Sequence, residues 1–262
     1  MPDTLFKRDG DVYLPTELAR GPWLPDALHG GPVAALIAHL AETAPAPGPM
    51  HPARLTLELL RPVPLAPLRA SVRIVRPGKK VQLVETSLHA GDVEVARGTL
   101  LRIRTEQILL PPETAGGDVT PPPGPASAML STPARVGELR AYHSHATEHR
   151  VLRGSWSRIG PCTDWVRVCA ALVDGAPLSP FERVAACADF GNGIGAALPF
   201  ESFRFLNADL TLQLHRLPEG EWVCLDSVTY PDASGVGTAE STLFDERGRI
   251  GRALQSLLIE RR

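Results

Sequence analysis

The sequence predicts an α+β fold built twice over: two helices, each wrapped by an antiparallel sheet, with the sheets joined edge to edge into one continuous sheet. Three observations lead there. The segment LTLELLR at 55–61 returns as LTLQLHR at 210–216, with five of seven positions identical. Each copy sits in the same order of elements, a helix followed by a meander of strands. Between the copies lies LLPPETAGGDVTPPPGPASAMLSTPARVG at 109–137, rich in Pro, Gly, Ser and Thr and unable to bury a core of its own. It reads as a linker between an N-terminal domain at 1–108 and a C-terminal domain at 138–262. Pairing the two halves also covers strand edges that would otherwise be exposed.

In the first half, LHGGPVAALIAHLAET places Val33, Leu36, Ile37 and Leu40 at helical spacing and stops at PAPGP. Pro32 sits in the first turn, where its missing N–H is tolerated. A short strand precedes this helix. Strand-like runs follow near 53–61, 68–76, 79–90 and 92–104, with turns at PGKK and HAGD. The second half repeats the order. Strands are expected at 148–159 and 163–173. A helix follows in SPFERVAACADFGNGIGAAL, with Ser179 as cap and Pro180 behind it. Runs near 203–216, 221–230, 235–245 and 249–260 complete the meander. The offset of 155 also sets VARGTLL (95–101) opposite IGRALQS (250–256), and the helices correspond with a small shift.

Composition narrows the function. A net charge of −2 offers no footprint for nucleic acid or anionic membrane. The first residues contain no apolar run long enough for a signal peptide or a membrane span, so a cytoplasmic protein is expected. Four cysteines, at 162, 169, 187 and 224, form no C-x-x-C pair and no zinc-spaced cluster, and free thiols are expected. His143, His145 and His149 lack acidic partners in sequence and read as surface residues rather than a metal tract. Dinucleotide, Walker and GXSXG patterns are absent, and no metal or cofactor is expected. Aromatic residues make up only 5% and suggest no stacking platform.

The motifs HGGPVAAL, LTLELLRPVP and VRPGKKVQLVETSL resemble the N-terminal half of the acyl-CoA thioesterase II family. ADFGNG, NADLTLQLHR, GEWVCLDSVT and GVGTAESTLFDERGRIGRALQSLLIE resemble its C-terminal half. The resemblance covers about 15–104 and 145–260 and implies a double hotdog fold. It further implies that an acid, a polar strand residue and a glutamine together bind and activate a water. By motif these are Asp189, Asn207 and Gln255, with Asn207 standing where better-known members have a hydroxyl residue. The implied activity is hydrolysis of an acyl-CoA or other acyl thioester. Two alternatives stay open: an acyl-CoA-binding protein without turnover, and an enoyl-thioester hydratase or dehydratase.

The residues suit that chemistry. Asp189 lies among Ala185, Ala186, Ala188 and Phe190, so its carboxylate would be partly desolvated. It suits a general base on water or a direct nucleophile. It equally suits an ordinary partner for a backbone amide or an arginine. Gly191, Gly193 and Gly195 weaken a helix by about 1 kcal/mol each relative to alanine, and they allow a substrate to approach closely. Gln255 shares a strand face with Leu257 and Ile259, and its counterpart in the first half is Leu100. It is either a site residue or a buried amide tying strands together. Asn207 and Asp209 fall on the face opposite Leu210, Leu212 and Leu214, where Asn207 also suits a turn or cap. His29, Gly30 and Gly31 are candidate substrate-binding residues facing Asp189, together with Gly191 and Gly193. His29 is otherwise a helix cap. A His–Asp pair would suit dehydration, but Val33 occupies the glycine position of the H-x-x-x-G-x-x-x-x-P pattern of such enzymes. The basic turns at 76–80 and 246–249 are candidates for CoA phosphates. The run ALQSLLIE is apolar on both faces, which predicts a second copy covering the outer face in a homodimer.

Overall fold

The computed structural model describes residues 3–114, 120–131 and 139–262. The first half opens with a hairpin, β1 (Thr4–Asp9) and β2 (Val12–Pro15), turned through Gly10 at φ +62°. Helix α1 (Gly30–Thr43) follows, then β3 (Met50–Leu59), β4 (Leu68–Pro77), β5 (Val81–Ala90) and β6 (Val93–Arg104). Within the Pro/Gly-rich segment, Met129–Ser131 forms a short edge strand, β7, and Trp165 Nε1 donates to the Pro123 carbonyl at 2.8 Å. That segment therefore meets the sheet through its backbone, while 115–119 and 132–138 lie outside the described residues.

The second half contains β8 (Thr147–Arg153), β9 (Cys162–Val168) and β10 (Ala171–Val173). Helices α2 (Pro180–Ala188) and α3 (Gly191–Ile194) come next. Strands β11 (Phe203–Asn207), β12 (Asp209–Leu214), β13 (Trp222–Pro231), β14 (Val236–Asp245) and β15 (Gly248–Arg261) close the chain. The expected second helix is thus two helices, broken at Asp189 and Phe190 just before the glycines that weaken it. Ser179 caps α2 in a capping box with Glu182, as its sequence predicts.

All the strands among the described residues belong to one sheet, ordered β10-β1-β2-β4-β5-β6-β3-β12-β15-β14-β13-β9-β8-β7, with β11 also on β15. The halves meet where β3 pairs antiparallel with β12. The 155-residue offset holds through both meanders. Thr56 faces Thr99 as Thr211 faces Leu254, and Glu85 faces Thr99 as Glu240 faces Leu254. Even the irregularity after Leu88 recurs after Leu243. Strand β10 follows β9 after two residues, yet pairs in parallel with β1 at the far end of the order. The sheet therefore curls round until its two ends approach each other.

The helices lie inside that curl. Helix α1 is apolar nearly all round and is buried from Gly31 to Ala38. His29 touches Asp189 at one end of the helix pair, and Ser179 touches Glu42 at the other, so α1 and α2 run antiparallel. Leu55, Leu57, Leu210 and Leu212 pack beneath them with no exposure. The outer face is less covered: Leu254 is 40% and Leu258 50% exposed.

Asn207 does not follow the expected alternation. The run 203–216 breaks at Ala208, and six residues from Asn207 to Leu212 oppose five from Leu257 to Ala253 on β15. One extra residue reverses the facing. Asn207 therefore turns to the inner side while Asp209 keeps the outer one, where its carboxylate accepts the Ser256 N–H at 2.6 Å.

Candidate active site

Asp189 ends α2 and is 4% exposed. A carboxylate is disfavoured at the negative end of a helix dipole. Three side chains offset this by converging on it. Asn207 Nδ2 donates to Oδ1, Gln255 Nε2 donates to Oδ1 at 3.3 Å, and His29 Nδ1 lies 2.8 Å from Oδ2. Gln255 is itself locked. Its Nε2 also donates to the Asp189 carbonyl at 3.2 Å, and its Oε1 accepts the Asn192 N–H at 3.0 Å. The fold thus brings Asp189, Asn207, Gln255 and His29 together, from α2, β11, β15 and the start of α1.

His29 caps α1, and its Nδ1 also accepts the Gly31 N–H at 3.0 Å. One ring nitrogen has either a hydrogen or a lone pair to offer. With the carboxylate ionised, Nδ1–H donates to Asp189. When Nδ1 has no hydrogen, it takes the Gly31 N–H instead. The cap and the ion pair are alternative states of one nitrogen.

The glycines serve different ends. A Cβ on Gly30 would sit 2.6 Å from Asp189 Oδ1, so only glycine lets the first turn of α1 approach the carboxylate. Gly30 and Gly193 line the adjoining cavity. Gly31 and Gly191 lie outside that lining and take a packing role. Added Cβ atoms would meet the Ala186 carbonyl at 2.5 Å and Ser241 Oγ at 2.6 Å, respectively.

The cavity measures about 1200 Å³, beyond the roughly 300–1,000 Å³ usual for small-molecule sites. Asp189, Asn207, Asn192 and His29 line it, as do Trp23, Trp156, Phe190 and Phe200. Trp23 stacks on Phe200 at 5.6 Å and meets Phe205 edge-on at 5.2 Å. Four aromatic residues are therefore gathered at this site, against the expectation from composition. Arg61, Arg158, Arg204 and Arg262 also line the cavity and are exposed, and none makes an ion pair among the described residues. The basic turns at 76–80 and 246–249 lie outside the lining.

The duplication gives the site a counterpart that lacks its chemistry. At the strand offset Asn207 answers to Pro52 and Gln255 to Leu100. The helix caps His29 and Ser179 are 150 residues apart, which sets His39 against Asp189. At that end His39 Nδ1 lies 2.8 Å from Glu182, and Ser179 Oγ donates to Glu42 at 2.7 Å. These contacts tie the helices together.

Two family models match the chain. The acyl-CoA thioesterase N-terminal domain matches residues 19–103, and the acyl-CoA thioesterase C-terminal domain matches residues 117–259. The chain belongs to the acyl-CoA thioesterase family. No curated protein sequence matches it significantly. Among solved structures it resembles a candidate thioesterase II from Thermobifida fusca YX, with a TM-score of 0.76 at 17% identity, covering 98% of this chain and 95% of that one. A hot dog fold protein from Alicyclobacillus acidocaldarius gives 0.72 at 17% over 97% and 95%. The acyl-CoA thioesterase II TesB2 from Mycobacterium marinum gives 0.66 at 14% over 98% and 94%. At these identities the likeness shows the fold alone, a hot dog fold. No helix among the described residues is long and apolar enough to cross a membrane.

Sequence reasoning missed several residues of this acyl-CoA thioesterase family member. Asn192 is 6% exposed, and its Nδ2 donates to the Phe205 carbonyl at 3.3 Å. His143 and His149 are 6% and 1% exposed rather than superficial, because the segment Tyr142–Ala146 and β8 pack under Phe190. The described residues hold no group of three or more candidate metal ligands. Cys162, Cys187 and Cys224 are buried free thiols, and burial pushes the Cys162 thiol up to about 12.

Proposed function

We propose that the chain is a double hotdog hydrolase that cleaves an acyl-CoA thioester with a water activated by Asp189. The observation that carries this reading is the convergence of Asn207, Gln255 and His29 on one carboxylate at the wall of a large, mostly apolar cavity. In this reading Asp189 takes a proton from water as the oxygen attacks the thioester carbonyl carbon. Asn207 and Gln255 hold the carboxylate in one orientation, and His29 meets it from the other side. The Gly30 N–H, at the first position of α1, lies outside the helix's own hydrogen bonds, and Gly30 lines the same cavity. It is the proposed donor to the oxyanion, aided by the positive end of the helix. Collapse of the intermediate breaks the carbon–sulfur bond, and the proton passes to the leaving thiolate. The four cavity arginines suit the phosphates of CoA.

A second reading is favoured by one contact. The His29–Asp189 pair also suits addition of water to an enoyl thioester, with the two groups handling the proton. The test is release of free thiol over a panel of acyl-CoA chain lengths, beside hydration of an enoyl-CoA. Thiol release supports hydrolysis. Hydration without thiol release, abolished by His29→Ala, replaces it. Binding without either reaction makes the chain an acyl-CoA-binding protein.

A further inference from the structure

A second acid–imidazole pair lies behind the cavity wall. His149 Nδ1 is 2.7 Å from Asp164 Oδ2, and both side chains have no solvent exposure. The same oxygen accepts Trp156 Nε1–H at 3.2 Å. The other oxygen, Oδ1, is buried without a hydrogen-bond partner. Thr147 Oγ1 lies 3.0 Å from His149 Nε2. A buried carboxylate is a costly way to fill a core, since apolar groups of the same shape are often no less stable. What this one fixes is an indole. Trp156 crosses His149 edge-on at 5.0 Å and Phe190 at 6.2 Å. A Cβ on Gly193 would touch its Cζ3 at 3.8 Å. Trp156 also lines the cavity and packs against Phe190, the residue next to Asp189. It stands on a loop that turns through Gly154 at φ +84° and Gly160 at φ +127°, so the backbone alone does not lock the ring.

We propose that Asp164, braced by His149, is a positioning residue that holds Trp156 as a rigid wall of the cavity, and that this wall limits how bulky an acyl group the site accepts. The proposal rests on the thioester reading for the ligand's chemistry, and on the hydrogen bonds for the wall. Two variants separate its parts. Trp156→Ala removes the wall. Asp164→Leu keeps the bulk and removes the acceptor, whereas Asp164→Asn keeps an acceptor in place.

The experiment measures binding of non-hydrolysable S-alkyl-CoA thioethers of increasing chain length to the full chain by calorimetry, with thiol release from the matching acyl-CoAs alongside. Trp156→Ala and Asp164→Leu shift the preference toward bulkier groups by at least about tenfold, the scale at which apolar pockets discriminate. Asp164→Asn stays within about threefold of the parent, because the acceptor survives. The Trp156 indole N–H signal, read by NMR, is protected from solvent exchange in the parent and in Asp164→Asn and loses protection in Asp164→Leu. An unchanged preference in Trp156→Ala overturns the proposal, as does a folded Asp164→Leu with a protected indole. If Asp164→Leu does not fold, Trp156→Ala decides the wall, and an unprotected indole N–H in the parent overturns the role of Asp164. Thioethers that bind while no acyl-CoA is hydrolysed sink the hydrolase reading and leave the wall to be judged by binding. If no thioether binds the parent, both fall.

Discussion

Thr56 and Thr211 face each other across the antiparallel junction of β3 and β12, and they are also each other's counterparts in the repeat. The repeated strand is therefore the seam along which the two halves join. Around this pair Leu55 opposes Leu212 and Leu57 opposes Leu210, all fully buried.

That seam makes the halves one folding unit. Leu55→Ala and Leu210→Ala, at equivalent positions, should each cost about 2–5 kcal/mol. Urea denaturation followed by fluorescence and by circular dichroism should give a single coincident transition for both. Two separate transitions, each sensitive to only one substitution, would show that the halves fold independently.

The repeat was legible because strand offset is a property of sequence alone. So were both helix starts, since His29 and Ser179 precede runs of matching period. Asn207 was assigned to the wrong face because the bulge at Ala208 shifts the alternation by one residue, and no local signal in LNADL marks it. His149 looked superficial because its acid, Asp164, is a neighbour only through sheet pairing. The aromatic cavity was hidden for the same reason: Trp23, Trp156 and Phe200 are distant in sequence. The single short strand expected before α1 is a hairpin of two, although Asp9-Gly10 is a D-G pair flanked by strand formers.

Gly30 tests the close approach of α1 to the carboxylate. Gly30→Ala places a Cβ 2.6 Å from Asp189 Oδ1, and the acid must move. Turnover should fall by at least about tenfold, since small displacements of a reacting group are costly. Thermal stability should change little, because alanine favours the helix by about 1 kcal/mol. Unaltered kcat in a crystallographically unshifted site would contradict the assignment.

Asp245 gives a pH-dependent stability. Burial alone would push its carboxyl up. The bidentate bonds from Arg216 at 2.5 and 2.6 Å, with the N–H groups of Glu219 and Arg247, outweigh burial and hold it below the usual range. A depressed folded value contributes stability above the ordinary aspartate value of about 4 and loses it as the pH falls through the folded value. Asp245→Asn should cost about 2 kcal/mol at neutral pH, a figure kept modest because Arg216 is partly exposed. The gap in urea midpoint between parent and variant should narrow below about pH 4. A constant gap would show that the charge is irrelevant.

Leu254 and Leu258 face outward on β15 beside inward Gln255 and Leu257. A second copy covering this face, in a homodimer of double hotdogs, is the expected arrangement. Sedimentation should give a dimer for the parent and a lighter species for Leu254→Glu with Leu258→Glu. A parent that remains monomeric at high concentration would remove this expectation.

Turnover after Asp189→Asn tests the central claim most directly. Asparagine keeps the shape and an acceptor for Asn207 and Gln255 but cannot take a proton. Thiol release from the best acyl-CoA substrate should fall by about 10²–10⁴-fold, the usual contribution of a positioned acid or base, with the fold intact by circular dichroism. Asn207→Ala and Gln255→Ala should reduce it less, because each removes one of several bonds to the carboxylate. Near-parental thiol release in a folded Asp189→Asn protein would contradict the assignment of Asp189 as the base.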